Sequence, residues 1–427
     1  MIKVNLDYTA GHKVQLDHYE EKVKQIHKLI HEKTGEGQEY LGWLDYPLNY
    51  DKEEIDRIVK KAKEIREKCD TLVVCGIGGS YLGARAAIEA INGLYSEDKM
   101  NIVYFGNTLD PNYTGQVLKY LDSRNFAICV ISKSGTTTET AIGFRFLKQK
   151  LYEKYSKEEA VSRIIVVTDK EKGALKTLQL NEGYECFVLP GNIGGRFSVL
   201  TPVGLFPIAC AGIDIYEFLE GFKEGAIEYN NPDVYTNEAY KYACQRNHLY
   251  KIGYSTEMLI SYELKNKMLI EWWKQLFDES EGKKNLGILA ASAIFTTDLH
   301  SMGQFIQEGS KVLFETVIYV ENPDYDAEIA EEESDLDELN YLKGKKVSYI
   351  NKKAFEGTLD AHSNSGKVPN IVLSIDKMDA RSIGHFFDFF MNACAMSAYM
   401  LNINPFNQPG VEIYKKNMFK LLGKKGY

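Results

Sequence analysis

Two loops in this chain concentrate the residue types that hold an anion. Ser132-Lys-Ser-Gly-Thr-Thr-Thr-Glu-Thr140 puts six hydroxyls and one lysine into nine residues. It follows the apolar run Phe126–Ile131 and opens a helical pattern. Capping that helix takes one hydroxyl, not six. Hydroxyls, backbone N–H groups and the positive end of a helix together suit a dianion. Gly76-Ile-Gly-Gly-Ser-Tyr-Leu-Gly83 holds the same position after Thr71–Cys75. Its glycines permit a tight turn and a close backbone approach to a ligand. Gly79, Ser80, Ser132, Lys133, Ser134, Thr136 and Thr137 are therefore the candidate phosphate contacts. The dinucleotide fingerprint fails, because Tyr81 stands where the third glycine belongs, and no Gly-Lys-Ser/Thr of a Walker loop follows. No adenine- or ribose-reading signal accompanies the loops, so the expected ligand is a small phosphomonoester.

Other chemistry-bearing residues are ambiguous on their own. Asp278, Glu279 and Glu281 cluster after a helical pattern. Residue types alone do not separate a catalytic acid there from a solvated helix end. His27 and His31 have the spacing of a helical metal pair, but Lys28 breaks the HExxH pattern. No metal site is expected.

The elements that must carry the two loops follow from hydrophobic pattern. Apolar runs at Thr71–Cys75, Phe126–Ile131, Arg163–Thr168 and Cys186–Leu189 alternate with helices. Short apolar strands alternating with helices predict a parallel sheet covered on both faces. Both loops then lie at the carboxyl ends of strands, where doubly wound sheets bind ligands. A second unit follows, with strands at Glu257–Ser261, Leu286–Ala291, Val312–Val320 and Asn370–Ile375. A long helix over Leu264–Phe277 sits between the first two, and a strongly apolar helix over Arg381–Leu401 closes the unit. The acidic run Asp324–Glu338 reads as a solvated loop and helix start.

Three segments resemble the glucose-6-phosphate isomerase family. They are Gly191-Asn-Ile-Gly-Gly-Arg-Phe-Ser-Val-Leu200, Pro405-Phe-Asn-Gln-Pro-Gly-Val-Glu-Ile-Tyr-Lys415 and the paired phosphate loops. The resemblance spans about Gly76 to Lys416. Pro409 and the short Gly282–Asn285 connection suit its compact bacterial branch. It implies an α/β fold of two doubly wound, three-layer αβα sugar-isomerase domains with mainly parallel sheets, plus a C-terminal helical arm. Residues 1–50 would form a helical segment packing on the larger domain. Residues 51–190 and 191–402 would form the two sandwiches, and residues 403–427 the arm.

The implied reaction is aldose–ketose isomerisation of glucose 6-phosphate and fructose 6-phosphate, a step of glycolysis and gluconeogenesis. Glu279, in Glu-Ser-Glu-Gly-Lys283, matches the family base, just past the long helix. A single carboxylate can take a proton from one carbon and return it to the next. His300 matches the histidine that helps open the sugar ring, contributed across a dimer interface. Lys415 matches the lysine near the ring oxygen, and Arg196 the cation that stabilises enediolate charge. Gln275 and Gln408 match substrate-contacting glutamines. The resemblance implies a homodimer with sites at the interface, and no cofactor.

Composition bounds the alternatives. The 427 residues are 44% hydrophobic and 26% charged, the proportions of a soluble globular chain. A net charge of −9 lacks the basic excess of a nucleic-acid binder. Any anionic substrate must be met by local donors. The seven cysteines include no CxxC pair, which favours reduced thiols. Neither a secretory leader nor a membrane span is read, so a cytoplasmic location is expected. Two other functions compete: a phosphosugar sensor without catalysis, and a nicotinamide dehydrogenase. A sensor needs the hydroxyl loop but not the base; Tyr81 disfavours the dehydrogenase.

Overall fold

Runs of Val, Ile and Cys that are apolar on both faces make strands only where helices cover both sides. The computed structural model describes residues 2–95 and 100–426. Met1 and Tyr427, the ends of the first and last expected segments, lie outside the described residues. Two five-stranded sheets organise the chain. The first contains β2 (Thr71–Cys75), β3 (Asn101–Phe105), β4 (Phe126–Ile131), β5 (Ile164–Thr168) and β6 (Glu185–Val188). Its order is β3-β2-β4-β5-β6, and every pairing is parallel. Strands β2, β4 and β5 are buried along their whole length.

The chain leaves β2 for one side of the sheet and then crosses to β4 on the other. A crevice opens at the carboxyl ends of the two strands where the direction of winding changes. Gly76–Gly83 leaves β2 there, and Ser132–Thr140 leaves β4 beside it.

The second sheet contains β1 (Lys3–Asn5), β7 (Thr256–Ser261), β8 (Leu289–Ile294), β9 (Leu313–Val320) and β10 (Asn370–Ile375). Its order is β1-β10-β9-β7-β8, parallel except for β1. Residues Lys3–Asn5 thus close an edge of this sheet, where a helical N-terminal segment was expected. Strand β3 was not expected either. It begins on an exposed Asn101 and is only half buried, so it lacks the continuous apolar signal of its neighbours.

Helix Ala380–Met400 is the core of the second half. Every residue from Ile383 to Met400 is buried. It crosses helix Ile215–Glu228 at glycines: a Cβ on Gly384 would lie 2.1 Å from the Phe218 carbonyl oxygen. Trp272 and Trp273 of helix Lys267–Glu281 pack against Phe387 and Phe390 of the same core helix. The acidic run is an exposed loop, followed by a short 3-10 turn at Asn340–Leu342 and then an α-helix from Val347. All seven cysteines are free thiols, and no described helix is long and apolar enough to cross a membrane.

Candidate active site

The two candidate phosphate loops line one cleft of about 650 Å³. The Ser132–Thr137 loop is braced by its own hydroxyls. Gly135 N donates to Ser132 Oγ at 3.0 Å, and Thr136 N to Ser134 Oγ at 3.1 Å. Thr168 Oγ1, at the end of β5, donates to the Ser132 carbonyl at 2.7 Å. Thr137 sits at the N-cap of helix Thr138–Lys154, yet its side chain makes no capping bond. The residue lines the cleft. Lys133 lines the cleft, with Nζ 2.9 Å from the Gly191 carbonyl.

Gly79 is required by its neighbour. A Cβ there would stand 2.2 Å from the Gly195 carbonyl carbon and oxygen. The loop after β2 can therefore press against Gly195-Arg196-Phe197 only as glycine. This contact carries Ser80 and Arg196 to the same wall.

Arg196 is 4% exposed and spreads its donors over the site. Nε donates to Ser280 Oγ at 2.9 Å, and Nη1 to Gln408 Oε1 at 3.1 Å. Nη2 donates to the Pro405 carbonyl at 2.6 Å. Glu279 Oε2 lies 3.3 Å from Nη1. Burial pulls the guanidinium below its usual range, and the Glu279 carboxylate works the other way.

The three clustered acids separate here. Helix Lys267–Glu281 runs farther than its apolar pattern, so Glu279 lies in its last turn and not beyond it. Asp278 points to β8, where Oδ1 accepts from Ala290 N at 2.9 Å, and burial raises its pKa. Glu281 is fully buried against Arg246. Glu279 alone of the three lines the cleft, with its side chain 34% exposed.

Gln275 lies one turn before Glu279. The residue lines the cleft, while its Oε1 is buried without a hydrogen-bond partner. Lys415 reaches the cleft from arm helix Val411–Leu421, with Nζ 2.9 Å from Glu412 Oε1. Gln408 enters from the turn before that helix.

His300 is the exception. It is exposed near the start of helix Leu299–Glu308 and does not line the cleft. Glu139 and Glu412 line the cleft but were not singled out from sequence. Glu139 sits inside the hydroxyl run, which was the signal available. Glu412 had none beyond its spacing from Lys415. Among the described residues no group of three or more His, Cys, Asp or Glu side chains is placed to hold a metal.

Comparison with known proteins shows the family of the chain. The family model described as phosphoglucose isomerase matches residues 59–425. The chain belongs to the phosphoglucose isomerase family. It is 54% identical to a glucose-6-phosphate isomerase of Staphylococcus saprophyticus, covering 99% of this chain and 95% of that one. It is 52% identical to one of Mycoplasma capricolum over the full length of both. Among solved structures, a hypothetical protein of Thermus thermophilus superposes with a TM-score of 0.89 at 27% identity, covering 99% of this chain and 100% of that one. A glucose-6-phosphate isomerase of Chlamydia trachomatis superposes with a TM-score of 0.82 at 21% identity, covering 99% and 88%. At that identity the last likeness speaks to the fold, an α/β architecture with mainly parallel sheets.

Proposed function

We infer that this chain is an aldose–ketose isomerase that interconverts glucose 6-phosphate and fructose 6-phosphate through a cis-enediolate. In this reading Ser132, Lys133, Ser134, Thr136 and Thr137, with Gly79 and Ser80, take the phosphate. Hydroxyls and backbone N–H groups give it many short donors without a large excess of positive charge. Lys415 and His300 help open the ring. Glu279 takes the proton from C2 of the open-chain aldose. The electrons left behind form the enediolate, and Arg196 stabilises its negative charge as a fixed, preorganised cation. Glu279 then returns the proton to C1 while the O2 hydroxyl gives up its proton and O1 gains one, which completes the ketose. Gln275 and Gln408 contact the sugar hydroxyls.

His300 is assigned to the site of a second copy, so the working enzyme is a homodimer with sites at the interface. We assign the reaction to the cytoplasm, and divide the chain into two sugar-isomerase domains, residues 51–190 and 191–402.

The observation that carries the catalytic reading is the separation of the three acids. A sensor needs the hydroxyl loop; it has no need of a carboxylate held beside a buried arginine across from that loop. Glu279→Gln keeps the shape and removes the base. Turnover should fall on the order of 10²–10⁴-fold, with substrate affinity little changed. Turnover is measured together with solvent deuterium incorporation into recovered sugar phosphate. Near wild-type turnover and exchange in Glu279→Gln would remove the assignment.

A further inference from the structure

Three consecutive side chains in the last turn of helix Lys267–Glu281 have three separate partners. Glu279 faces the cleft. Ser280 Oγ accepts from Arg196 Nε at 2.9 Å. Glu281 turns into the core, where Oε1 accepts from Arg246 Nη1 at 2.7 Å. Arg246, Glu281 and Glu257 are all fully buried. Arg246 Nε donates to Glu257, and Nη1 to Ser397 Oγ at 2.9 Å. Tyr242 Oη and Thr316 Oγ1 each donate to Glu257 Oε1 at 2.6 Å. The guanidinium also lies over the Phe277 ring, 4.1 Å from its centroid. One cation thus joins strand β7, helix Ala380–Met400 and the turn that bears Glu279.

Such a cluster is a poor source of stability. Desolvating the charges cancels most of what their attraction returns, and well-packed apolar residues often do as well. Two carboxylates around one guanidinium make the balance worse than in a simple pair. What the cluster does supply is a fixed geometry. Helix ends fray, and no further turn holds this one, because the chain bends away at Gly282. The buried pair pins the turn two residues beyond Glu279.

We propose that Arg246 and Glu281 are positioning residues for Glu279, holding the last helical turn so that its carboxylate meets both carbons of the substrate. The proposal rests on Glu279 being the base. It requires that the anchor act on the chemical step and not on phosphate binding. A misplacement of about 1 Å can cost on the order of 10²-fold in rate.

The test compares variants at one position, with kcat and KM for fructose 6-phosphate expressed per folded enzyme. Glu281→Ala removes the anchor. Its kcat should fall roughly 10–100-fold, with KM within about threefold of wild type. Glu281→Gln keeps the acceptor for Arg246 Nη1. Glu281 Oε2 has no hydrogen-bond partner among the described residues, so an amide there breaks no existing bond. Its kcat should recover to within about threefold of wild type. If the alanine variant does not fold, Glu281→Asp keeps the charge, draws the carboxylate back by one methylene and is read the same way. A melting temperature that falls while kcat stays at the wild-type level overturns the proposal. So does a KM that rises in step with the loss of kcat, or a glutamine variant as slow as the alanine one. Glu279→Gln is run alongside. If it retains turnover, the base assignment itself is wrong. If it is inactive while Glu281→Ala is fully active, only the positioning role is lost.

Discussion

Glu279, Asp278 and Glu281 are the same chemistry in one helical turn, and only their partners give them different work. Asp278 is spent on a backbone N–H, Glu281 on a buried guanidinium, and Glu279 is left at the cleft. The same argument applies to the hydroxyl loop. Ser134 Oγ is 3.0 Å from Thr136 Oγ1 and accepts from Thr136 N at 3.1 Å, which fixes its position at the edge of the cleft. A carboxylate at this position would meet the substrate phosphate with like charge. Ser134→Asp should therefore abolish detectable binding of fructose 6-phosphate in calorimetry. Unchanged affinity would take this loop out of the site.

At the scale of elements, the cleft depends on how the helix that bears Glu279 meets the C-terminal arm. Lys283 Nζ donates to the Ser280 carbonyl at 2.9 Å and to the Asn404 carbonyl at 2.5 Å. A cation at a helix C-terminus is favourably placed, and this one also ties the helix to the segment that carries Gln408 and Lys415. Burial, with Arg196 nearby, lowers the Lys283 pKa from 10.5 to about 8. The unfolded chain holds that proton more tightly than the folded one. This group therefore lowers stability as pH falls from 10.5 toward about 8, and contributes no further change below it. The clamp has the opposite sense: its charge is present below about 8 and leaves above it. We expect kcat to decline as pH rises through about 8, and Lys283→Arg, which stays charged, to lose that alkaline limb. An identical limb in both proteins would rule out Lys283 as its source.

The packing of helices Ile215–Glu228 and Ala380–Met400 sets the frame behind this joint. A methyl on Gly384 would press into the Phe218 carbonyl at 2.1 Å, and that oxygen belongs to a helix backbone that cannot swing aside. Overpacking of this kind typically costs about 1–3 kcal/mol. Gly384→Ala should lower the melting temperature while leaving KM for fructose 6-phosphate near wild type. A variant that melts with the wild type would mean the two helices separate at little cost.

For the whole molecule, the question is where His300 acts. It is exposed and absent from the cleft that holds Glu279, Arg196 and Lys415. The arm helix also presents Ile413 and Leu421 to solvent, at 67% and 88% exposure. In a two-fold dimer with shared sites, a subunit lacking Glu279 and one lacking His300 combine to give one site with both defects and one intact site. Dissociating and mixing inactive Glu279→Gln and His300→Ala proteins should then restore about a quarter of wild-type activity, by random pairing. Mixtures that stay as inactive as their components would place His300 outside a shared site.

The sequence alone determined where most strands run. Thr71–Cys75, Phe126–Ile131 and Asn370–Ile375 begin and end where their apolar runs do, because a strand buried on both faces writes itself as an unbroken run. It also marked the two loops that line the cleft, since their hydroxyls and glycines lie together in the sequence. Edge strands left weaker traces. Asn101–Phe105 is half exposed, and Lys3–Asn5 is three residues long and pairs with a strand more than 360 residues away. Residue types alone did not separate the three neighbouring acids, which the resemblance resolved in favour of Glu279 and the tertiary structure sends to different places. The partners that remove Asp278 and Glu281 are Ala290 on a strand and Arg246 on another helix. Residue type and spacing carry no record of contacts made across the fold, and these contacts are what leave Glu279, of the three, at the cleft.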